Sequence, residues 1–223
     1  MLSIVVPTLD AGAVLEGTLA ILTEADISFE VIVADGGSRD ETLAIAHRAG
    51  ARVVTCEQGR GRQLDTGARA AQGEWLLFLH ADTHLSAGWS EAVARFIDMP
   101  ANRQRCAVFR FALDDNGRMA RLLTQAVAWR FRVFALPYGD QGLLMARAFY
   151  SDIGGFRPLP LMEDVDMVRR LGRRRLTMLD AVAVTSAARY RRDGWLLRPL
   201  RNLCCLGLYF IGVPPRLIGR LYS

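Results

Sequence analysis

An imidazole and a carboxylate stand two residues apart where a strongly apolar segment of this sequence ends. The five apolar residues 75–79 are typical of a strand buried on both faces of a sheet, and His80 and Asp82 follow it. Side chains two residues apart on a strand point to the same side, and open α/β sheets bind their ligands at the carboxyl ends of strands. We therefore predict a divalent metal site at His80 and Asp82. A polar strand end followed by an ordinary loop is the alternative.

Two earlier apolar strands of the sequence also end in polar residues. The first ends at Pro7 and Thr8, and the second ends at Asp35. In a parallel sheet these ends meet at one edge, together with residues 80–82. Asp35 is placed there to accept hydrogen bonds from a ribose or a base, although an ordinary Asp-Gly turn explains it equally well. A predicted helix begins near the same edge at residues 60–62, and a helix N-terminus beside arginine suits a phosphate.

The elements that must position these residues alternate regularly in the first half of the chain. Strands are predicted over 2–6, 29–34, 51–56 and 75–79, with helices over 13–23, 40–49 and 59–72 between them. This alternation indicates a parallel sheet with helices on both faces. In the second half we predict helices over 86–99, 119–135 and 162–170, a brief turn or helix over 149–156, and strands over 105–113, 142–146, 176–179 and 182–185. The alternation is lost there, so we expect a modified half of the same sheet.

Length and composition favour one domain with a substantial core. The chain has 223 residues, of which 51% are hydrophobic and 23% charged, and its formal net charge is +5. Every basic residue is arginine, and these are dense over 169–175 and 189–201. Such a basic half suits phosphates or a membrane surface, and we expect no nucleic-acid partner. The four cysteines form no Cys-x-x-Cys pair, so we expect reduced thiols, no zinc site and a cytoplasmic protein. Because the sequence opens directly on a predicted strand, we expect no signal peptide.

Residues 195–223 are predicted to form an amphipathic helical tail after a domain at 1–194. The apolar run 203–213 is too short to span a bilayer, which needs about 20 residues. It either packs on the domain, binds a second subunit or lies peripherally on the inner face of a membrane. In the membrane alternative, basic and aromatic side chains would face the headgroup region. These side chains are Arg198, Arg201, Arg216, Arg220, Trp195, Tyr209 and Tyr222.

Seven segments, in order and across most of the chain, resemble glycosyltransferase family 2. They are IVVPTLD at 4–10, VIVADGGSRD at 31–40, GRGRQLD at 59–65, FLHAD at 78–82, GDQ at 139–141, GGF at 154–156 and LMED at 161–164. More narrowly, the chain resembles the small bacterial branch associated with radical-SAM and selenium-domain proteins, whose members are often called arsenosugar-biosynthesis glycosyltransferases. The resemblance implies a GT-A fold, a nucleotide-diphosphate sugar donor, a divalent metal (manganese or magnesium) and transfer with inversion to an acceptor, either a small molecule or a lipid-linked one.

The resemblance also implies a role for individual residues. Asp164 would be the catalytic base, and Asp82 would join the metal to the diphosphate. Donor-binding positions would be Pro7, Thr8, Asp10, Asp35, Arg62, Asp65, Asp82, Arg189 and Arg192. Positions beside the donor sugar or the acceptor would be Asp140, Gln141 and Glu163. From the residues alone, Glu163 and Asp164 are equally an acidic pair that favours a helix N-terminus, and residues 189–192 are equally a solvated basic face.

Departures from the family pattern leave the metal and the nucleotide open. His80 replaces the usual first acid of the Asp-x-Asp motif, which favours manganese over magnesium. Asp10 and Asp65 replace residues that are commonly asparagine, and an added carboxylate repels a diphosphate unless a cation compensates it. One alternative function is a related nucleotidyltransferase, although the chain has no lysine-containing glycine-rich loop after its first strand. The other is a catalytically silent nucleotide-binding or scaffold protein on the same fold.

Overall fold

A single twisted sheet carries the elements of the chain. The computed structural model describes residues 1–222; Ser223 and the side chains of Arg220 and Tyr222 lie outside the described part. The strands of the sheet are β1 (Leu2–Thr8), β2 (Phe29–Asp35), β3 (Arg52–Thr55), β4 (Trp75–Phe78), β5 (Thr83–Leu85), β6 (Cys106–Leu113), β7 (Leu143–Ala146) and β8 (Leu176–Thr185). Their order across the sheet is β3-β2-β1-β4-β7-β6-β8-β5.

Helices cover both faces of this sheet. They are α1 (Gly12–Leu22), α2 (Thr42–Arg48), α3 (Arg60–Ala70), α4 (Trp89–Ile97), α5 (Arg118–Phe134), α6 (Arg147–Asp152), α7 (Glu163–Leu171), α8 (Ala188–Asp193), α9 (Leu197–Phe210) and α10 (Pro215–Tyr222). Short 3₁₀ turns occur at Pro100–Gln104, Gly139–Gln141 and Arg173–Arg175. The predicted α/β fold with a mostly parallel sheet is confirmed.

The first half of the sheet is parallel, as the alternating pattern predicts. β2 and β4 flank β1 in parallel, and β3 pairs in parallel with β2. Residues of β1 and β4 are almost completely buried, because helices cover both faces of the central strands. α3 packs directly on β1 through Gly67, where an added Cβ would lie 2.3 Å from Cγ1 of Val5. This close approach brings the N-terminus of α3 to the carboxyl ends of β1 and β2.

The second half of the sheet departs from the prediction in two places. The two short strands expected over 176–179 and 182–185 are one strand, β8, which pairs in parallel with β6 across an irregularity near residues 108–110. Asp180 does not end the strand, because its exposed carboxylate forms an ion pair with Arg110 on β6. The three-residue strand β5 was not predicted, and it joins the sheet edge antiparallel to β8. β7 is also antiparallel to its neighbours β4 and β6.

The predicted helical tail consists of α9 and α10, and one of its faces packs on the body. Cys205 and Ile218 are buried against Met162 and Val165, which lie at the start of α7. Along the opposite side, several large apolar side chains of α9 are exposed. In the described part of the chain, none of the helices has the length and apolar character that a membrane span requires. The boundary between residues 194 and 195 stays a prediction.

Candidate active site

Two clefts meet at the carboxyl ends of the central strands. The first has a volume of about 530 Å³ and lies between the end of β1, the start of α3 and the start of α8. The second has a volume of about 640 Å³ and lies between α5 and α9. Five residues line both clefts, namely Arg60, His80, Asp82, Ser186 and Arg189. A ligand that reaches the junction from either cleft therefore meets these five residues.

His80 and Asp82 lie at this junction on a turn, since β4 ends at Phe78. The amide of Thr83 donates to the carbonyl of His80 over 3.2 Å. The imidazole packs against Gly139, where an added Cβ would lie 2.5 Å from Nε2 of His80. Burial, helped by the positive charge of Arg60, lowers the pKa of His80 to about 4. The imidazole is therefore neutral at neutral pH and keeps a nitrogen lone pair for a ligand.

The carboxylate of Asp82 faces a guanidinium across the junction. Its Oδ2 lies 3.6 Å from Nη2 of Arg189, which is carried by α8. Among the described residues, no group of three or more His, Cys, Asp or Glu side chains could hold a metal ion by itself. A carboxylate and a neutral imidazole instead supply part of a coordination shell, to which phosphate oxygens and water would add the rest. The two side chains could thus hold a divalent cation only together with ligands from outside the protein.

Asp164 reaches the second cleft from the first turn of α7. Its Oδ2 accepts a hydrogen bond from the amide of Gly139 over 2.9 Å, and its Oδ1 accepts one from the amide of Val165 over 2.7 Å. These two bonds fix the carboxylate beside the turn that packs on His80. Neighbouring Glu163 is buried, and its Oε1 lies 3.4 Å from Nη1 of Arg60. Burial raises the pKa of Glu163 despite that arginine.

Asp140 and Gln141 follow Gly139 but have different surroundings. Asp140 lines the second cleft, and its buried Oδ1 has no hydrogen-bond partner in the described part of the protein. Burial raises the pKa of Asp140 to about 6 against the opposing charge of Arg130. Gln141 is buried in the body instead, where its Nε2 donates to the carbonyl of Phe109 over 3.1 Å. It is not among the residues that line the two clefts.

Of the predicted donor-binding residues near β1, three line the first cleft. These are Pro7, Thr8 and Asp10. Asp35 lies under them, because its carboxylate accepts hydrogen bonds from Oγ1 of Thr8 and from the amides of Gly37 and Ser38. Burial would raise the pKa of Asp35, but these hydrogen bonds outweigh burial and lower it. Its oxygens are thus already used to shape the turn beneath the cleft.

Three other predicted residues point away from the junction. Arg62 forms an ion pair with Glu57, and Arg192 pairs with Asp193. Asp65 accepts hydrogen bonds from the hydroxyl of Tyr150 over 3.0 Å and from Nε of Arg69 over 2.7 Å. None of the three lines either cleft, so their predicted roles in donor binding stay predictions.

Several lining residues were missed from the sequence. Arg60, two positions before Arg62, is the arginine of α3 that lines both clefts. Helical geometry shows only that Arg60 and Arg62 face different sides, because residues two apart on a helix point in nearly opposite directions. Gln63 is buried beneath the first cleft and donates from Nε2 to the carbonyls of Thr8 and Ala34. In the second cleft, Arg130, Tyr138 and Asn202 were also missed, since no local pattern joins α5 to α9.

Residues 3–155 match the model of the family described as glycosyl transferase family 2. The chain belongs to that family. A PGL/p-HBAD biosynthesis glycosyltransferase of Mycobacterium bovis (strain BCG / Pasteur 1173P2) is 41% identical to this family 2 chain over 106 residues. That segment is 44% of this chain and 41% of the relative, so the chain spans about two fifths of the length of this relative. An uncharacterized glycosyltransferase of Haemophilus influenzae is 33% identical over 106 residues, covering 46% of this chain and 36% of the relative.

Solved structures share the fold of this family 2 chain. TarS of Staphylococcus aureus, solved in complex with UDP, matches with a TM-score of 0.66 and 18% identity, covering 100% of this chain and 69% of that one. Glucosyl-3-phosphoglycerate synthase of Mycobacterium tuberculosis, solved with Mn²⁺, UDP-glucose and glycerol 3-phosphate, matches with a TM-score of 0.59 and 21% identity, covering 83% and 70% of the two chains. The predicted GT-A architecture is therefore confirmed.

Proposed function

We propose that this chain is an inverting glycosyltransferase that moves a sugar from a nucleotide-diphosphate donor to an acceptor hydroxyl. The observation that carries the proposal is the junction of the two clefts. Donor-side residues Pro7 and Thr8 line the first cleft, Asp164 lines the second, and His80 and Asp82 line both. A sugar bound at the junction would therefore have its leaving group in one cleft and its attacking hydroxyl in the other.

The first cleft suits the nucleotide diphosphate. The guanidinium groups of Arg60 and Arg189 line both clefts, and each faces a carboxylate, Glu163 and Asp82 respectively. Arginine binds phosphate oxygens through paired N–H donors, so both groups could turn to a diphosphate when it binds. We propose UDP as the nucleotide, because the TarS and glucosyl-3-phosphoglycerate synthase structures hold UDP or UDP-sugars.

Transfer would occur as one displacement at the anomeric carbon. The acceptor oxygen forms a bond to this carbon while the bond from the carbon to the diphosphate oxygen breaks, and the electron pair leaves with the diphosphate. Asp164 takes the proton of the acceptor hydroxyl, which needs a base within hydrogen-bond reach because its own pKa is high. Attack from the side opposite to the leaving group inverts the configuration at the anomeric carbon.

Asp82 and His80 would hold the divalent cation, for which we propose manganese. A bound cation supplies charge stabilisation to the departing diphosphate. Arg60 and Arg189 add fixed positive charge on the same side of the junction, where the diphosphate gains negative charge as the sugar departs. The carboxylates of Asp164 and Asp140 line the second cleft, where the acceptor proton has to be removed.

Finer assignments remain part of this proposal. The small bacterial branch associated with radical-SAM and selenium-domain proteins rests on the sequence motifs, and a cytoplasmic site with peripheral membrane contact rests on composition and on the tail. A silent nucleotide-binding protein on the same fold is the second candidate. It is favoured only by the replacement of the usual first acid by His80.

A screen of nucleotide sugars tests the proposed function. The purified chain would be heated with UDP-, GDP- and dTDP-sugars, each with and without Mn²⁺. Specific binding stabilises the folded chain by RT ln(1 + [L]/Kd), so we expect a UDP-sugar with Mn²⁺ to raise the melting temperature most. Consumption of the bound donor in the presence of acceptor alcohols would then show transfer. Donor binding without consumption by any acceptor would favour the silent protein.

A further inference from the structure

The second cleft has walls of apolar side chains. They come from α5 and α9 and from the segment that follows α5, and they are Leu123, Ala126, Val127, Trp129, Phe134, Leu136, Pro199, Leu203, Leu206 and Phe210. Four of these side chains are largely exposed to solvent at the mouth of the cleft. Their relative solvent exposures are 60% for Trp129, 58% for Leu203, 56% for Phe134 and 47% for Phe210. Apolar side chains gathered at the mouth of a groove indicate an apolar ligand or partner.

The inner end of the same cleft is polar and incompletely hydrogen-bonded. Three buried atoms of its lining have no hydrogen-bond partner in the described part of the chain, namely Oδ1 of Asp140, Nη2 of Arg130 and Oδ1 of Asn202. The guanidinium of Arg130 is held in place, because its Nε donates to the carbonyl of Leu136 and the group lies 3.4 Å from the ring centroid of Tyr138. Buried polar atoms without partners are costly, so this end is suited to hydroxyl groups of a ligand.

Basic side chains lie beside the apolar mouth. Arg173 is fixed at the end of α5, where its guanidinium donates to the carbonyls of Arg132 and Val133. On the α9 side, the guanidinium of Arg169 lies 5.0 Å from the ring centroid of Phe210. An apolar opening flanked by arginine matches a lipid surface with anionic headgroups, in which hydrocarbon and negative charge are adjacent. A second copy of this chain, itself positively charged, matches the basic rim less well.

We propose that the cleft between α5 and α9 is the acceptor site and that the acceptor is a lipid alcohol. Its hydroxyl would lie at the polar end beside Asp164, and its hydrocarbon chain would lie along the walls towards Trp129 and Leu203. The inference rests on the proposed function, because it takes the junction of the clefts as the place of transfer. It adds the chemical class of the acceptor and the direction from which the acceptor enters.

Binding of short alkyl glucosides tests this inference on the full chain without requiring turnover. Calorimetry would compare n-hexyl, n-heptyl and n-octyl β-glucoside, all below their micelle concentrations. Because each buried methylene adds about 0.8 kcal/mol, affinity should rise about fourfold per added carbon. The Leu203→Arg variant should weaken binding and remove this dependence on chain length. The matched control is Met99→Arg, because the side chain of Met99 has a similar exposure of 56%. Met99 follows α4, and Phe96 of α4 packs on Trp75 at the amino end of β4, away from the cleft. This variant should bind the glucosides as the wild type does.

A second arm identifies the source of the ligand. Vesicles of phosphatidylcholine and phosphatidylglycerol should sediment with the wild type and Met99→Arg at low salt, and less with Leu203→Arg. Affinity that does not depend on chain length, equal binding by the two variants, or no vesicle binding would overturn the lipid acceptor. Conversion of a dimer to a monomer by Leu203→Arg in sedimentation velocity, without glucoside binding, would overturn it in favour of a subunit interface.

Measurement of donor binding distinguishes a failure of this inference from a failure of the proposed function on which it rests. UDP binding with Mn²⁺ should be unchanged in Leu203→Arg, since Leu203 does not line the first cleft. Donor binding without chain-length-dependent glucoside binding would overturn the acceptor class alone. Glucoside binding without binding of any nucleotide would overturn the proposed function, and with it the acceptor role of the cleft.

Discussion

The carboxylates of Asp164 and Asp140 both face the second cleft, and their hydrogen bonds give them different properties. Asp164 accepts a backbone hydrogen bond on each oxygen, so its position is fixed by the start of α7 and by Gly139. Asp140 has a buried oxygen without a partner among the described residues, and burial raises its pKa. We assign proton removal to Asp164, whose carboxylate is held by these two hydrogen bonds. We assign Asp140 to ligand binding, because its buried oxygen can still accept a hydrogen bond.

The Asp164→Asn variant should lose turnover but bind the donor nucleotide with unchanged affinity. Asparagine is nearly the same size but cannot take the acceptor proton, and loss of a general base costs about 10²–10⁴-fold in rate. The measurement is the initial rate of transfer, with UDP affinity determined on the same sample. Asp140→Asn is the matched comparison in the same cleft. If the transfer rate falls more in Asp140→Asn than in Asp164→Asn, Asp140 is the base and the assignment to Asp164 is wrong.

The Asp140→Asn variant should also change how stability depends on pH. The folded-state pKa of about 6 lies above the ordinary value of 3.8, so the folded chain binds the proton more tightly than the unfolded chain does. This carboxyl therefore stabilises the fold below pH 3.8, and its contribution is lost as the pH rises through about 6. Relative to the wild type, Asp140→Asn should be more stable at about pH 8 than at about pH 5. Thermal melts at both values measure it, and a difference independent of pH would contradict the raised pKa.

At the scale of residues, the sequence predicted which types of side chain form the site, but it did not predict the direction in which each side chain points. His80 and Asp82 do lie beyond the end of a central strand, where α/β sheets bind their ligands, and Asp140 and Asp164 line the same cleft from a 3₁₀ turn and from α7. Asp35 has its oxygens occupied by its own turn instead, because a carboxylate before Gly-Gly-Ser can accept bonds from the amides that follow it. Only coordinates show which hydrogen bonds a side chain has already made.

The placement of α3 depends on glycine at two contacts. Gly67 lets the helix approach β1, and Gly61 lets its first turn approach the carbonyl of Arg157, where an added Cβ would lie 2.2 Å from the oxygen. The first turn carries Arg60 to both clefts. The arginine's position is therefore set by backbone packing, which no side-chain pattern of the helix itself reveals.

Gly61→Ala should weaken both the fold and donor binding. The methyl group must displace α3 or the backbone at Arg157, and such overpacking costs about 1–3 kcal/mol. The control is Gly207→Ala on α9, where an added Cβ meets nothing within 4 Å and the helix should gain about 0.5–1 kcal/mol. Urea unfolding measures both changes, and calorimetry with UDP measures the effect on Arg60. Equal unfolding free energies in the two variants would contradict the close approach.

Elements with local patterns were predicted, and elements set by distant contacts were not. The central strands β1 and β4 read as apolar runs because both of their faces are buried. β5 has only three residues and exists because β8 pairs with it from about a hundred residues away. Pairing with β6 makes β8 continuous across Asp180, where the sequence alone predicts two separate strands.

At the scale of the whole molecule, α9 and α10 pack on the body, and α9 also forms part of the second cleft. Their inner face covers Met162 and Val165, next to the segment that carries Glu163 and Asp164, and the other side of α9 forms a wall of that cleft. The predicted tail is thus helical, and it is packed on the body. Composition indicated an amphipathic helix but could not tell which partner its apolar residues would have.

Truncation after Asp193 tests whether the tail is an independent unit. Removing α9 and α10 uncovers Met162 and Val165, and full burial of such side chains is worth about 1.5–3 kcal/mol each. We expect a lower urea midpoint than that of the full chain, together with loss of glucoside binding. An unchanged midpoint would contradict the packing and would support a domain that ends at residue 194.

Calorimetry of UDP with Mn²⁺ on the wild type and on Asp82→Ala tests the central claim most directly. Asp82 lines both clefts and its carboxylate faces Arg189 at the junction, so it should join the cation to the diphosphate. Asp180→Ala, which removes an exposed carboxylate of β8 that also pairs with an arginine, is the matched control. We predict that the wild type and the control bind UDP more tightly with Mn²⁺ than without it, and that Asp82→Ala loses this gain while keeping its melting temperature. Equal Mn²⁺-dependent affinity in Asp82→Ala would contradict a donor site built at this junction.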